Sequence, residues 1–282
     1  MIVALVVLSA FLHAAWNALL KREPDKDRGL IAAVTVASLV ALAVSAVRWA
    51  ALGDAPFQTA SSLGWALVAG TLELTYLMAL ARALERGALG PVYTISRGGA
   101  VVLVYPLSVA IFGEVTSVQS ALGSAIVVVG LVASGLAGAR PRADHRTAAA
   151  WALVCAAAIA GYHLAYKAAL DAGGGPSAVF AVALSLATAL NYARVGTAGR
   201  AVVADIFRRR TGAVLAMGVL CGASFLILME ALAGGQAGYV LTLRNTSVLF
   251  ATGLAWWLGE RPTIPHAVGA LLVAAGAAAM AT

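Results

Sequence analysis

Long apolar runs separated by short polar joints dominate the sequence. A hydrocarbon layer of ~30 Å needs about 20 apolar residues in one helix, and such runs recur along the whole chain. The predicted spans, ten in all, are 2–20, 30–50, 63–84, 89–112, 118–138, 148–170, 176–195, 212–233, 237–258 and 263–281. Turn-forming residues such as Gly53 and Pro56 fall between spans, whereas Pro106 lies inside one and is expected to kink it. The pattern predicts an all-α polytopic membrane protein with ten transmembrane helices.

Composition agrees with a lipid environment. Of the 282 residues, 62% are hydrophobic and only 11% are charged, and the mean hydropathy is +0.92. Soluble domains carry about a quarter charged residues. The net charge of +7 comes without a basic stripe interleaved with aromatic residues, which argues against nucleic acid as a partner. The expected partners are the lipid bilayer and a small molecule. No P-loop or HExxH motif occurs, so neither ATP hydrolysis nor a metal or other cofactor is expected.

Lys and Arg lie mainly near the connectors that follow odd-numbered spans. These connectors hold 15 such residues, whereas the even-numbered connectors have only Arg48 and Lys167 at their edges. Cytoplasmic loops of membrane proteins are enriched in Lys and Arg. The charge count therefore predicts odd connectors in the cytoplasm and both termini outside it, in a plasma or inner membrane.

The sequence contains an internal repeat. The segment FLHAAWNALL at 11–20 aligns with GYHLAYKAAL at 161–170. A second segment, GEVTSVQSALGSAIVVVG at 113–130, aligns with GERPTIPHAVGALLVAAG at 259–276. Chance could produce one such match, but matches in the same order indicate a duplication.

The duplication predicts two units of five spans, 1–140 and 145–282. Between the aligned segments, Arg97 in TISRGG matches Arg244 in TLRNTS. Because each unit has an odd number of spans, the second unit enters the membrane from the opposite side, which makes an inverted repeat. Inverted repeats are a recurring plan of transporters, with the substrate site near the midplane between the units.

Two five-helix units with these motifs resemble the EamA-like family of the drug/metabolite transporter superfamily. The resemblance rests on the opening HAAWNALLKR, on the GE that closes spans four and nine, and on the glycine-containing helix after each GE. It extends over essentially the whole chain. It implies a ten-helix basket with a central cavity, and export or exchange of small polar metabolites. It also implies cytoplasmic termini, whereas the charge count favours termini on the outside.

Three ionisable residues lie near the middle of spans: Glu73, Arg97 and Arg244. Such residues cost ~2.5–3.5 kcal/mol each on insertion scales and usually face a cavity or a partner. Their summed charge suits an anion or the carboxylate of a zwitterion, which arginine holds with paired hydrogen bonds. The alternative is a structural ion pair between Glu73 and one arginine, which would leave the other arginine for substrate.

Two helix faces carry further polar residues. These are His13, Trp16 and Asn17 on span one, and His163, Tyr166 and Lys167 on span six. Their i, i+3, i+4 spacing places each set on one face. Hydrogen bonding between helices is the alternative role, but the duplication favours a site built from both units. Trp16 and Lys167 lie nearer the span ends, where interfacial anchoring and snorkelling explain them equally well.

Tyr93 and Asn245 complete the candidate substrate site. Tyr93 precedes Arg97 by four residues and should share its helix face, and Asn245 follows Arg244 directly. Ordinary packing is an equal alternative for Tyr93. Proton-coupling candidates are Glu73, His13 and His163, because arginine stays charged. A facilitator or an exchanger would need none of these three.

The glutamates of the repeated GE motifs and the glycines of the helices after them are expected to have structural roles. Glu114 and Glu260 end their helices beside a glycine, which favours a capping or loop role. The glycines from Gly123 to Gly130 and from Gly269 to Gly276 favour close helix packing.

Together these features predict a secondary transporter of a small polar, anionic or zwitterionic metabolite. Amino acids, organic acids and phosphonate-like compounds are the expected classes. The alternatives are a non-transporting membrane scaffold or sensor and, with less support, an intramembrane enzyme. The substrate itself does not follow from a fold that serves unrelated solutes.

Overall fold

Helices account for nearly all of the regular structure. A computed structural model describes residues 2–86, 89–115, 117–136, 145–257 and 264–281. The helices are α1 (Ile2–Lys21), α2 (Lys26–Leu52), α3 (Ala60–Arg86), α4 (Leu89–Phe112), α5 (Val118–Leu136), α6 (His145–Asp171), α7 (Pro176–Arg209), α8 (Thr211–Ala233), α9 (Ala237–Leu243), α10 (Ser247–Trp257) and α11 (Ile264–Ala281). Within the described ranges, seven helices are long and apolar enough to cross a membrane. The predicted all-α polytopic membrane fold is confirmed.

The ninth predicted span is not one continuous helix. α9 ends at Leu243, a 3-10 turn covers Arg244–Thr246, and α10 begins at Ser247. The Asn245 amide donates to the Leu241 carbonyl at 3.0 Å, so a side chain competes with the backbone ladder at the break. A short 3-10 segment inside a helical span often marks a functional hinge.

The seventh helix is longer than the predicted span 176–195. Gly196 has a φ of 63°, a left-handed value that favours glycine, and the chain bends there. Helical structure then continues to Arg209. Val203 is fully buried in this second part, so the basic segment after the bend packs on the bundle as an amphipathic helix.

Helix contacts pair the two predicted units. α3 packs on α6 and α1 on α8, while α2 packs on α7 and α5 on α11. Span three of the first unit corresponds to α8 in the second, and α6 corresponds to α1. The α3–α6 contact and the α8–α1 contact are therefore equivalent. Ser38 and Thr188, which are 150 positions apart, share a hydrogen bond of 3.0 Å between their hydroxyls. The contacts follow a two-fold pattern, and the inverted repeat itself stays a prediction.

Glycine contacts join α5 to α11. A Cβ atom on Gly123 would lie 2.7 Å from the carbonyl oxygen of Gly276. A Cβ on Gly130 would lie 2.6 Å from the oxygen of Gly269. Only glycine permits these backbones to come so close. The predicted role of these glycines in close packing is confirmed.

The described connectors after spans one and seven meet at one end of the bundle, which we call the odd end. The connector between α1 and α2 lies beside the one between α7 and α8, where the Arg210 guanidinium contacts the buried Glu23 carboxylate at 2.7 Å. Close by, Arg194 of α7 contacts Asp27 of α2 at 2.6 Å. Both ion pairs cross between the predicted units.

Connectors after even-numbered spans meet at the opposite end, the even end. The connector between α2 and α3 lies beside the one between α6 and α7. Here the Gln58 N–H donates to the Gly173 carbonyl at 3.0 Å, and the Gly175 N–H donates to the Pro56 carbonyl at 2.9 Å. Each end of the bundle is therefore fastened by contacts between one connector of each unit.

Candidate functional site

Four ionisable side chains meet in the interior of the bundle. His13 on α1, Arg97 on α4, His163 on α6 and Arg244 in the 3-10 turn are each at most 6% exposed. A terminal nitrogen of Arg97 contacts Nε2 of His13. Arg244 lies 3.2 Å from Nδ1 of His13 and 3.3 Å from Nε2 of His163. The two arginines, one from each predicted unit, thus contact the same imidazole ring.

This cluster holds more hydrogen-bond donors than acceptors. A guanidinium has five N–H donors and no acceptor, and a neutral imidazole accepts at one nitrogen only. Guanidinium groups nevertheless face both ring nitrogens of His13, and the Trp16 indole N–H also lies 3.2 Å from Nδ1. These N–H donors and the two positive charges suit an anion, whose oxygen atoms accept several such bonds.

The turn between α9 and α10 places Arg244 over α8. The guanidinium carbon lies 4.3 Å from the centre of the Phe225 ring, and one terminal nitrogen lies 3.4 Å from the Ser224 hydroxyl. Asn245, the next residue, is also buried. Sequence reasoning missed Ser224 and Phe225, because a serine and a phenylalanine in an apolar helix carry no distinguishing signal.

A small cavity adjoins the cluster. Its volume is about 20 Å³, and Arg97, His163, Arg244 and Asn245 line it together with apolar residues. One water needs about 10–15 Å³, whereas pockets for small molecules occupy roughly 300–1,000 Å³. This described cavity therefore has room for a water molecule and is too small for a metabolite.

Glu73 of α3 lies where this helix packs on α6. Its carboxyl group is 2% exposed and lies beside the Tyr166 hydroxyl. Within the described part of the chain, Glu73 Oε2 and the hydroxyls of Tyr162 and Tyr166 have no hydrogen-bond partner of normal geometry. The ion pairs formed by the described residues do not include Glu73.

Known proteins match this chain in sequence and in fold. Residues 146–282 match the model of the EamA-like transporter family, which is part of the drug/metabolite transporter superfamily. Residues 146–282 belong to the EamA-like transporter family. The match covers the second predicted unit. One similar solved structure is described only as "Crystal structure of protein"; it shares 16% identity over 99% of this chain and 94% of its own, with a TM-score of 0.72. At that identity the likeness shows the fold alone.

Among the predicted site residues of this EamA-like protein, Asn17 does not contact the arginines in the described structure, and the side chain of Tyr93 is not described. Asn17 is half-buried, and its amide donates to the His13 carbonyl of its own helix at 2.7 Å. The side chain of Tyr93 lies outside the described residues. By contrast, Trp16 is 1% exposed and contacts His13. It therefore belongs to the interior rather than to a membrane interface.

Glu114 links the two units of the EamA-like protein at the even end. Its carboxylate accepts hydrogen bonds from the backbone N–H groups of Ala237 and Gly238, in the first turn of α9. A carboxylate at this place satisfies orphan donors and complements the helix dipole. The predicted capping role is confirmed for Glu114, although the helix it caps lies in the other unit. Its counterpart Glu260 lies outside the described residues.

Proposed function

We propose that this EamA-like protein is a secondary transporter that exports or exchanges a small anionic or zwitterionic metabolite. The observation that carries the proposal is the convergence of Arg97 and Arg244 on His13, with one arginine from each unit. Amino acids, organic acids and phosphonate-like compounds are the matching classes, because arginine binds carboxylate and phosphate groups with paired hydrogen bonds.

Alternating access follows from where these arginines are attached. Each unit carries one arginine, so a rocking motion between the units brings the guanidinium groups together or separates them. The two-fold pattern of helix contacts and the paired connectors at each end support inverted repeats that exchange roles during transport. The break between α9 and α10 supplies a hinge beside Arg244.

We also propose that the odd end faces the cytoplasm of a cell whose plasma or inner membrane holds the protein. The support is the concentration of Lys and Arg at that end. In this orientation both termini lie outside, and the ion pairs of Glu23 and Asp27 close the cytoplasmic side.

Counterflow into proteoliposomes tests the transport proposal. The purified protein is offered labelled amino acids, dicarboxylates and phosphonates, and at least one is expected to exchange. Arg97→Gln and Arg244→Gln should each lower the rate about tenfold or more, because each removes a charge-assisted contact with the anion. Arg209→Gln, a matched change at a side chain that is 77% exposed on α7, should leave the rate unchanged.

Other outcomes favour the alternatives. If no solute moves and both interior variants keep the cellular phenotype, a scaffold or sensor is the better description. Chemical conversion of a labelled solute would favour an intramembrane enzyme. Counterflow that ignores an imposed pH gradient would remove Glu73, His13 and His163 as proton-coupling groups.

A further inference from the structure

We propose that Glu73 and the tyrosines beside it form a second subsite, which binds the ammonium group of a zwitterionic substrate. The inference rests on the proposed transport function and narrows it, because it favours compounds that carry both an amino group and an acidic group. The arginine cluster would hold the acidic group, and the Glu73 subsite would hold the amino group.

Unpartnered oxygen atoms mark the second subsite. Glu73 Oε2, the Tyr162 hydroxyl and the Tyr166 hydroxyl are buried at the contact between α3 and α6. In the described ranges none of them has a hydrogen bond of normal geometry, although Glu73 and Tyr166 lie beside each other. Buried polar atoms in native proteins are almost always satisfied, and each exception calls for an explanation. A carboxylate and two phenol oxygens are acceptors that match the three N–H donors of an ammonium group.

Aromatic rings surround the same place. The centre of the Tyr162 ring lies 5.5 Å from that of Tyr76 and 5.5 Å from that of Tyr166. The face of an aromatic ring attracts a cation through its quadrupole, and the attraction grows when the cation is removed from water. A carboxylate among tyrosine rings therefore suits an organic ammonium ion better than it suits a metal ion, which prefers several oxygen ligands with regular geometry.

The two subsites are continuous through α6. Tyr162 and His163 are neighbours in the chain, and their ring centres lie 4.1 Å apart. The His163 ring in turn lies 3.3 Å from Arg244, and the Tyr162 ring packs against Tyr166, which lies beside Glu73. The arginine cluster and Glu73 are thus connected through neighbouring aromatic and imidazole rings, and we expect one small zwitterion to contact both.

Matched pairs of solutes test the proposal in proteoliposomes. Each labelled amino compound is compared with the acid that lacks its amino group: L-alanine with propionate, L-glutamate with glutarate, and 3-aminopropylphosphonate with propylphosphonate. For at least one pair, wild-type protein should prefer the amino compound by about tenfold or more, the effect of one charge-assisted contact. Glu73→Gln should abolish that preference, because it lowers transport of the amino compound much more than transport of the deaminated acid. Glu85→Gln, an exposed change on the same helix, should keep the preference.

The outcomes separate this proposal from the transport function. Transport of the deaminated acids with equal or greater efficiency by wild-type protein would overturn the ammonium subsite and leave the transport function intact. An equal loss of both solutes in a folded Glu73→Gln variant, or no change in either, would also overturn it. If wild-type protein moves no solute, both proposals fail. Should Glu73→Gln not fold, Tyr166→Phe provides the second variant, with a smaller loss of preference expected.

Discussion

His13 contacts both interior arginines. Two guanidinium groups repel each other strongly in a medium of low dielectric constant, so the imidazole between them reduces an unfavourable interaction. Trp16 orients the same ring from its own helix at 3.2 Å. The histidine that looks out of place in the first span therefore connects the two units at their centre.

Substitution of His13 should test this connecting role. His13→Leu removes every acceptor between the arginines, and we expect a loss of stability on the order of 3–5 kcal/mol, as for a broken buried charge contact. His13→Gln should lose less, because the amide oxygen still accepts hydrogen bonds. Thermal unfolding in detergent measures both. Asn17→Leu on the same helix should be nearly neutral, and equal losses for the leucine and glutamine variants would contradict the prediction.

The sequence predicts the charged residues of the site but not the aromatic residues that pack around them. Arg97, Arg244 and Glu73 stood out because ionisable groups are expensive in lipid. Tyr162 and Phe225 did not, since aromatic residues in an apolar helix serve packing as readily as binding. Their roles depend on helix contacts that no local pattern encodes.

Helix boundaries were predictable at the scale of elements, whereas breaks within helices were not. Apolar length locates each span, and the observed helices follow the predicted ones closely. The 3-10 turn at Arg244–Thr246 contains no glycine or proline. Its geometry depends on tertiary contacts, such as the position of Arg244 over Phe225. The sequence shows the glycine at position 196 where α7 bends. The helix beyond it was not predicted, because its amphipathic composition resembles that of a connector.

The cap on α9 gives a prediction at this scale. Glu114→Ala leaves the N–H groups of Ala237 and Gly238 without their acceptor, and loss of such a cap costs about 0.5–2 kcal/mol. We expect a lower melting temperature and faster hydrogen exchange across α9. Glu85→Ala is the control, because this glutamate is exposed at the end of α3. Unchanged exchange in α9 would show that the carboxylate does not hold the helix start.

At the scale of the whole molecule, the repeat and the orientation are separate questions. The aligned segments predicted two units, and the contacts of α2 with α7 and of α5 with α11 have the two-fold form that such units require. Orientation depends instead on charge, where the count of Lys and Arg and the resemblance to the EamA-like family imply opposite answers. Contacts within the bundle are identical in both orientations, so the fold does not choose between them.

Side-specific labelling should decide the orientation. An impermeant thiol reagent applied to intact cells should modify Gly53→Cys at the even end and should spare Arg209→Cys at the odd end. The native Cys155 and Cys221 are buried and contribute little background. A reporter that is active only in the cytoplasm, fused after residue 282, should stay silent. The reverse labelling pattern would place the termini and the even end in the cytoplasm, and the odd end outside it.

The residues that contact the interior arginines are synthesised in a defined order. His13 is synthesised before Arg97, and His13, His163 and Ser224 are all synthesised before Arg244. Domains and segments assemble from the N-terminus during translation, and an unpartnered arginine is costly in a nascent membrane helix. Each arginine consequently leaves the ribosome when a side chain that can receive it is already in the membrane. In a chain with its two units in the opposite order, Arg244 would still follow His163 and Ser224 but would precede His13.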